Sequence, residues 1–281
     1  MSAHTTFRVG GPADLFAIPV STTDIVALLQ FANRTGLPWF VLGGGANLLV
    51  ADRGIRGLVI DMREFRHLRR EGNELVVGAG RAVSEAAAAA VEMGLGGLEF
   101  LYSMPGSVGG AVWMNARCYG HSIDEILTGV AYVDEERRLQ HYTPDPADFA
   151  YKRSPFQGRN SVMYTIRFRL HPDDPAVLRR RMSDYYRDRE SKGHFAAPSA
   201  GSVFKNNREF GAPTGKLLDS LGLRGYQVGG AKVSDLHANI VINTGDATAA
   251  DIRAVIEHMQ RQAEVHLGLQ LEREVLFAGE W

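Results

Sequence analysis

The sequence predicts a mixed α+β protein in two parts, and three stretches carry that reading. After Thr23-Asp24, apolar residues recur at Ile25, Leu28, Leu29 and Ala32 until Gly36 and Pro38 stop them, the spacing of one helix face. Met163, Thr165, Arg167 and Arg169 alternate with Tyr164, Ile166, Phe168 and Leu170, the period of a half-buried strand. Pro172-Asp173-Asp174-Pro175 then breaks that strand and opens a charged helix, which marks the boundary.

The remaining elements come in order. A strand at 39–42 runs into a glycine cluster, and 57–60 and 74–77 read as further short strands. Ser84 is placed to cap an alanine-rich helix that ends at Gly94. Segments 130–132 and 140–142 form a hairpin around Asp134-Glu135-Glu136-Arg137. Arg179, Arg180, Arg181, Arg187 and Arg189 give the helix after Pro175 the character of a solvated connector. Beyond it come a helix at 214–221, turns at Gly222 and Gly225, and a strand at 239–243. Thr248-Ala249-Ala250-Asp251 is a capping box that leads a long helix through Ile252, Val255, Ile256, Met259 and Ala263. A strand at 269–277 closes the chain.

A chain of 281 residues has room for about two domains. Its formal net charge of -1 gives no global electrostatic case for nucleic acid or an anionic membrane. A phosphorylated ligand must therefore be held by a local site. The single cysteine, Cys118, excludes an intrachain disulfide and fits a reducing compartment. No signal-peptide pattern or spanning apolar run is visible, so the expected location is the cytoplasm. The histidines are scattered, without a His-Glu-x-x-His or a cysteine cluster, and no metal site is expected.

Two glycine loops invite a nucleotide. Gly43-Gly44-Gly45-Ala46-Asn47 follows a strand but lacks the Gly-Lys-Ser/Thr of a P-loop, and Leu48 stands where a dinucleotide fingerprint needs its third glycine. What remains is bare backbone whose N–H groups can converge on a pyrophosphate. Pro105-Gly106-Ser107-Val108-Gly109-Gly110 is a second loop of the same kind. Further on, Ala200-Gly201-Ser202-Val203-Phe204-Lys205-Asn206 sets a hydroxyl near a cation and an amide. It is no nucleophile elbow, since G-x-S-x-G is absent, and Ser202 is better placed to give up a proton than to attack a carbonyl.

Five segments run in one order along the chain. They are Thr6-Phe7-Arg8-Val9-Gly10-Gly11-Pro12-Ala13, the first glycine loop through Val50, Met104 to Ala116, the Ser202 segment, and Gly229 to Asn239. Together they resemble the UDP-N-acetylenolpyruvoylglucosamine reductase family, in its compact branch. The resemblance implies a two-part FAD-binding domain of the vanillyl-alcohol oxidase type at 1–171, a charged connector at 172–195, and a smaller α+β substrate domain at 196–281 whose last strand returns toward the flavin site. It implies non-covalent FAD at Gly43, Gly44, Gly45, Ala46, Asn47, Pro105, Gly106, Ser107, Gly109, Gly110 and Asn115. Covalent attachment would need a His or Cys in the first loop, which has neither.

The implied reaction is reduction of UDP-N-acetylglucosamine enolpyruvate in peptidoglycan precursor synthesis, by a monomer, with NADPH as hydride donor. Ser202 matches the family's proton donor, and Glu274, in Leu271-Glu272-Arg273-Glu274-Val275, its second catalytic residue. Glu274 could also be a surface carboxylate paired with Arg273 or Lys232. Lys205 and Asn206 match positions that face the nucleotide sugar.

The chain departs from the family at two places. Tyr151-Lys152-Arg153-Ser154 stands where the family carries Tyr-Arg-x-Ser, leaving Lys152 and Arg153 as equal candidates for the arginine's task. Arg117-Cys118 replaces a pair of small residues, so that Arg117 either supplies positive charge or turns to solvent. Two rival functions are another FAD-dependent oxidase acting on a sugar or sugar alcohol, and a non-catalytic nucleotide-sugar binder.

Overall fold

The computed structural model describes residues Met1–Trp281. The chain compacts into two units, one of Leu15–Gly44 and Gly57–Arg187, the other of Met1–Asp14, Gly45–Arg56 and Asp188–Trp281. Each unit thus draws on more than one stretch of the chain.

In the larger unit the helix Thr22–Thr35 is started by a Ser21/Asp24 capping box and stopped by Gly36 at φ 66, and it buries Ile25, Leu29 and Ala32. Trp39–Leu42 lies parallel to the strand Ile55–Asp61, Trp39 opposite Leu58 and Leu42 opposite Asp61. A five-stranded antiparallel sheet has the order Leu139–Tyr142, Leu127–Val133, Val162–Arg169, Glu74–Gly78, Leu68–Glu71. From Thr165 onward its alternation is the one the sequence implies, whereas Met163, read with the polar face, is buried in the same core as Ile166 and Phe168 next to an irregularity in the register. Ile166 and Phe168 are buried against the helices Val83–Glu92 and Val108–Trp113, while Arg167 bonds Glu71 at 2.7 Å and Glu74 at 3.1 Å on the other face. Ser84 caps nothing: the N-cap is Ala82, and Ser84 Oγ instead accepts from the Ser103 amide at 2.9 Å.

The helix Pro175–Ser191 is less solvated than its composition suggests. Leu178 and Met182 are buried against Val91, Arg179 forks onto Glu92 at 2.9 and 2.6 Å, and Arg181 reaches Glu99 at 3.2 Å. Arg189 departs furthest from the expectation. It is only 9% exposed, its guanidinium lies over the Phe195 ring, and its Nε has no hydrogen-bond partner.

The smaller unit is an antiparallel sheet in the order Ser199–Ser202, Ile240–Asn243, Ala231–Val233, Gln227–Val228, packed on the helix Ala249–Leu267. The Thr248/Asp251 capping box forms as its residues require, and Gly268 ends the helix at φ 67. Two early segments complete this unit. Phe7, Val9 and Leu49 enter its core, and Asn243 Nδ2 donates to Phe7 O at 2.9 Å. Asp52 accepts from the Ala249 and Ala250 amides at 2.8 and 3.0 Å, an acid at a helix N-terminus. Gly11 is required here, since a Cβ would lie 2.0 Å from Asp52 O. The expected final strand shortens to Leu276–Ala278, which runs parallel to Leu48–Val50. No helix of the chain is long and apolar enough to cross a membrane.

His194 and His237 sit together in this unit, ring centroids 6.2 Å apart. Burial and then the Arg189 charge push His194 down to about 4, and burial likewise lowers His237. Lys192 acts on both rings in the same sense, opposed by Asp188 at His194 and by Asp219 at His237, while Arg224 adds to the lowering of His237. With the unfolded value at 6.5, unfolding takes up protons between pH 6.5 and about 4. This contribution to stability is complete above that window and is lost as pH falls through it. His194→Gln should therefore flatten the acid limb of the urea midpoint against pH; a limb of unchanged slope would refute the assignment.

Candidate active site

Ser202 ends the strand Ser199–Ser202, directly after Gly201 at φ 71. Its hydroxyl is half-buried and makes no hydrogen bond within the protein. The residues after it are held by backbone and by one buried amide. Val203 N donates to Asn239 O at 2.8 Å, and Asn239 closes both sides of Phe204, accepting its N–H at 3.0 Å and donating to its C=O at 2.9 Å. Val203 O in turn accepts from Glu274 N at 2.7 Å, and Lys205 N donates to Glu272 O at 2.9 Å. These bonds set Glu274 beside the neighbour of Ser202.

Glu274 is half-buried, and Asn47 Nδ2 fastens its carbonyl at 2.8 Å. The two cations weighed as surface partners are engaged elsewhere: Arg273 lies 3.9 Å from the Phe277 ring centroid, and Lys232 pairs with Asp235 at 2.7 Å. Lys205 Nζ bonds Glu272 at 2.5 Å, and Asn206 Oδ1 accepts the Thr214 amide at 2.9 Å. His237 Nδ1 accepts the Asn239 amide at 3.2 Å, a structural bond.

In the larger unit, Gly43 and Gly44 meet the second glycine loop backbone to backbone. A Cβ at Gly43 would lie 2.3 Å from Ser107 Oγ, and one at Gly44 2.5 Å from Gly106 Cα. The short helix Val108–Trp113 offers little to an anion, because its first amides are used: Val108 N by Arg81 O, Gly109 N by Ala79 O, Gly110 N by Ser107 Oγ. Along 43–47, by contrast, no amide N–H donates to a protein acceptor. A run of unsatisfied donors on side-chain-poor backbone suits the pyrophosphate of FAD.

Asn115 differs from its expected role. Its Nδ2 donates to Ala150 O at 3.0 Å and its Oδ1 accepts the Asp124 amide at 3.2 Å, so it braces the loops on either side of it. Lys152 and Arg153 separate in space. Lys152, at φ 58, lines a pocket of about 170 Å³ together with Asn115, Arg117 and Asp124, whereas Arg153 is exposed and lines none of it. The sequence reading placed Arg189 on a solvated connector, and composition could not have shown its burial, because arginines at the two ends of one helix look alike there.

Residues 13–142 match the family described as FAD binding domain, and residues 193–278 match UDP-N-acetylenolpyruvoylglucosamine reductase, C-terminal domain. Fold and matches together define an α+β, FAD-dependent oxidoreductase. Among curated proteins, the UDP-N-acetylenolpyruvoylglucosamine reductase of Heliobacterium modesticaldum is 40% identical over 281 residues, covering 100% of this chain and 89% of that one. The Moorella thermoacetica reductase is 40% identical over 280 residues, covering 100% and 92%. The crystal structure of the Thermus caldophilus reductase aligns with a TM-score of 0.84 at 32% identity, over 99% of this chain and 96% of that one. The chain belongs to the UDP-N-acetylenolpyruvoylglucosamine reductase family.

The contact between the glycine loops yields a direct test. Gly44→Ala forces a Cβ onto backbone that cannot swing aside, so the purified variant should carry substoichiometric FAD by its visible absorbance, with circular dichroism preserved. Full flavin content in that variant would show that the two loops need not lie so close.

Proposed function

We propose that this enzyme reduces UDP-N-acetylglucosamine enolpyruvate to UDP-N-acetylmuramate with NADPH, in the cytoplasm, as a monomeric step of peptidoglycan precursor synthesis. Residues 1–171 serve as its flavin domain, and 196–281, joined through 172–195, as its substrate domain. The reading rests on one observation above the others: Glu274 is fastened beside Val203, next to a Ser202 hydroxyl that has no other hydrogen-bonding duty.

FAD, held non-covalently along 43–47, would supply hydride transfer from NADPH to the terminal methylene carbon of the enol ether. The protein's residues manage the charge and proton that this leaves. Negative charge develops across the adjacent carbon and its carboxylate, so a cation must face that carboxylate. Lys152 fits the task better than Arg153, because it lines a pocket with the braced Asn115. Ser202 Oγ–H is the proton donor to the carbon bearing oxygen and carboxylate. An alcohol is a weak acid in water, and only a strongly basic carbanion makes this transfer favourable. Glu274 completes the catalytic set, its backbone fixed from both sides by Val203 and Asn47. Lys205 and Asn206 are assigned to the nucleotide sugar, as the family resemblance implies.

Hydride and proton together account for the two hydrogens the double bond gains. Ser202→Ala should leave bleaching of the flavin by NADPH within about twofold while sugar turnover falls by roughly 10²–10⁴. If sugar turnover survived alongside flavin bleaching, Ser202 would not be the donor. Oxygen consumption that ignores the UDP-sugar would point instead to an oxidase.

A further inference from the structure

Two cations 35 residues apart in the sequence meet in one place. Arg117 and Lys152 line the same pocket of about 170 Å³, with Asn115, Ser122, Asp124, Ala150 and Tyr151 around them. Both are carried by well-braced backbone. Ala150 and Arg153 exchange hydrogen bonds of 3.2 and 3.0 Å across the turn that bears Lys152, and Gln157 Nε2 donates to Lys152 O at 3.0 Å. Arg117 opens a two-residue hairpin onto Ser122, whose turn residues Tyr119 and Gly120 have φ 52 and 87. The Tyr119 ring stacks on Tyr185 at 4.1 Å and its hydroxyl bonds Tyr185 O at 3.0 Å, which anchors the hairpin. Arg117 itself makes one long bond, Nη2 to Gly120 O at 3.4 Å, and is otherwise exposed.

Charge gives the reason for two cations. Asp124 also lines the pocket, and its Oδ1 is buried without a hydrogen-bond partner. With Lys152 alone, the lining would sum to zero, and a carboxylate would enter against the field of Asp124. Lys152 is moreover a point charge that cannot hold both oxygens of a carboxylate in one plane, as an arginine fork does. We propose that Arg117 is a second carboxylate-binding residue, sharing that work with Lys152. Lys152 Nζ takes one oxygen of the enolpyruvyl carboxylate and the Arg117 guanidinium the other. This assignment rests on the reaction proposed above, but it is tested separately from it.

The test uses the full-length holoenzyme with Arg117→Ala, Arg117→Gln, Lys152→Arg, and Arg117→Ala combined with Lys152→Arg. Two quantities are read: kcat/KM for UDP-N-acetylglucosamine enolpyruvate, and the rate of flavin bleaching by NADPH without the sugar. Both Arg117 variants should lose about 10- to 100-fold in kcat/KM, the worth of one charge-assisted bond, with bleaching unchanged. In the Lys152→Arg background the Arg117→Ala loss should shrink to within about threefold, because the fork at 152 then suffices alone. A neutral Arg117→Gln in an active enzyme overturns the proposal. So does an equal loss in both backgrounds, which marks a merely structural side chain. An unsubstituted enzyme whose flavin bleaches but never turns over the sugar overturns the functional reading itself, and this inference with it.

Discussion

The geometry around Ser202 depends on one buried amide. Asn239, 2% exposed, satisfies both backbone groups of Phe204 with its side chain and the Val203 N–H with its own carbonyl. Each of those groups, if left buried and unpaired, would cost about 1–3 kcal/mol, so the segment cannot drift without breaking several bonds together. Val203 O then becomes the acceptor on which Glu274 is seated, and Asn47 grips the far side of Glu274. The backbone that carries Glu274 and follows Ser202 is thereby fixed by hydrogen bonds. This holds a reacting group more tightly than rotamer preference alone.

Glycine does two things in the loops at 43–47 and 105–110, and the sequence displays only their shared consequence. Without side chains, amides can point at a phosphate. Without side chains, two loops can also approach until a Cβ would fall 2.5 Å from a neighbouring Cα. The second demand is met by Gly43 and Gly44 against Gly106 and Ser107. The first is left to the amides of 43–47, since those opening the helix Val108–Trp113 are already bonded. The Gly229-Gly230 pair is a case of packing: a Cβ there would meet the Asp251 carboxylate at 2.5 Å or Ala247 N at 2.3 Å, under the start of the long helix.

Local features were legible because local rules govern them. The capping boxes at Ser21 and Thr248, the alternation through Ile166 and Phe168, and the stop at Gly36 are each dictated by a few neighbouring residues. Ser84 misled for a tertiary reason, since its hydroxyl serves the Ser103 amide from another segment. The membership of Gly45–Arg56 in the smaller unit was hidden too, because its ties run to Ala278, Ala249 and Ala250, roughly two hundred residues onward. Arg189 lies under Phe195 for a similar reason: charge spacing within a helix carries no information about the ring that the chain brings back over it. Of the candidate site, Ser202 and Glu274 could be named as candidates from the sequence, and the braces at Asn239 and Asn47 could not.

Backbone strain gives an independent view of the pocket at Lys152. Six non-glycine residues have positive φ, and three of them, Asn115, Tyr119 and Lys152, line that pocket or turn the hairpin beside it. A side chain in this region of backbone space costs of order 1 kcal/mol or more, and it persists only where neighbouring contacts over-determine it. Those contacts are present: the two side-chain bonds of Asn115, the ring stack of Tyr119, the Gln157 bond to Lys152 O. Two of the three, Asn115 and Lys152, line a small cavity together with Arg117 and the buried Asp124 carboxylate oxygen, while Tyr119 anchors the hairpin that carries Arg117.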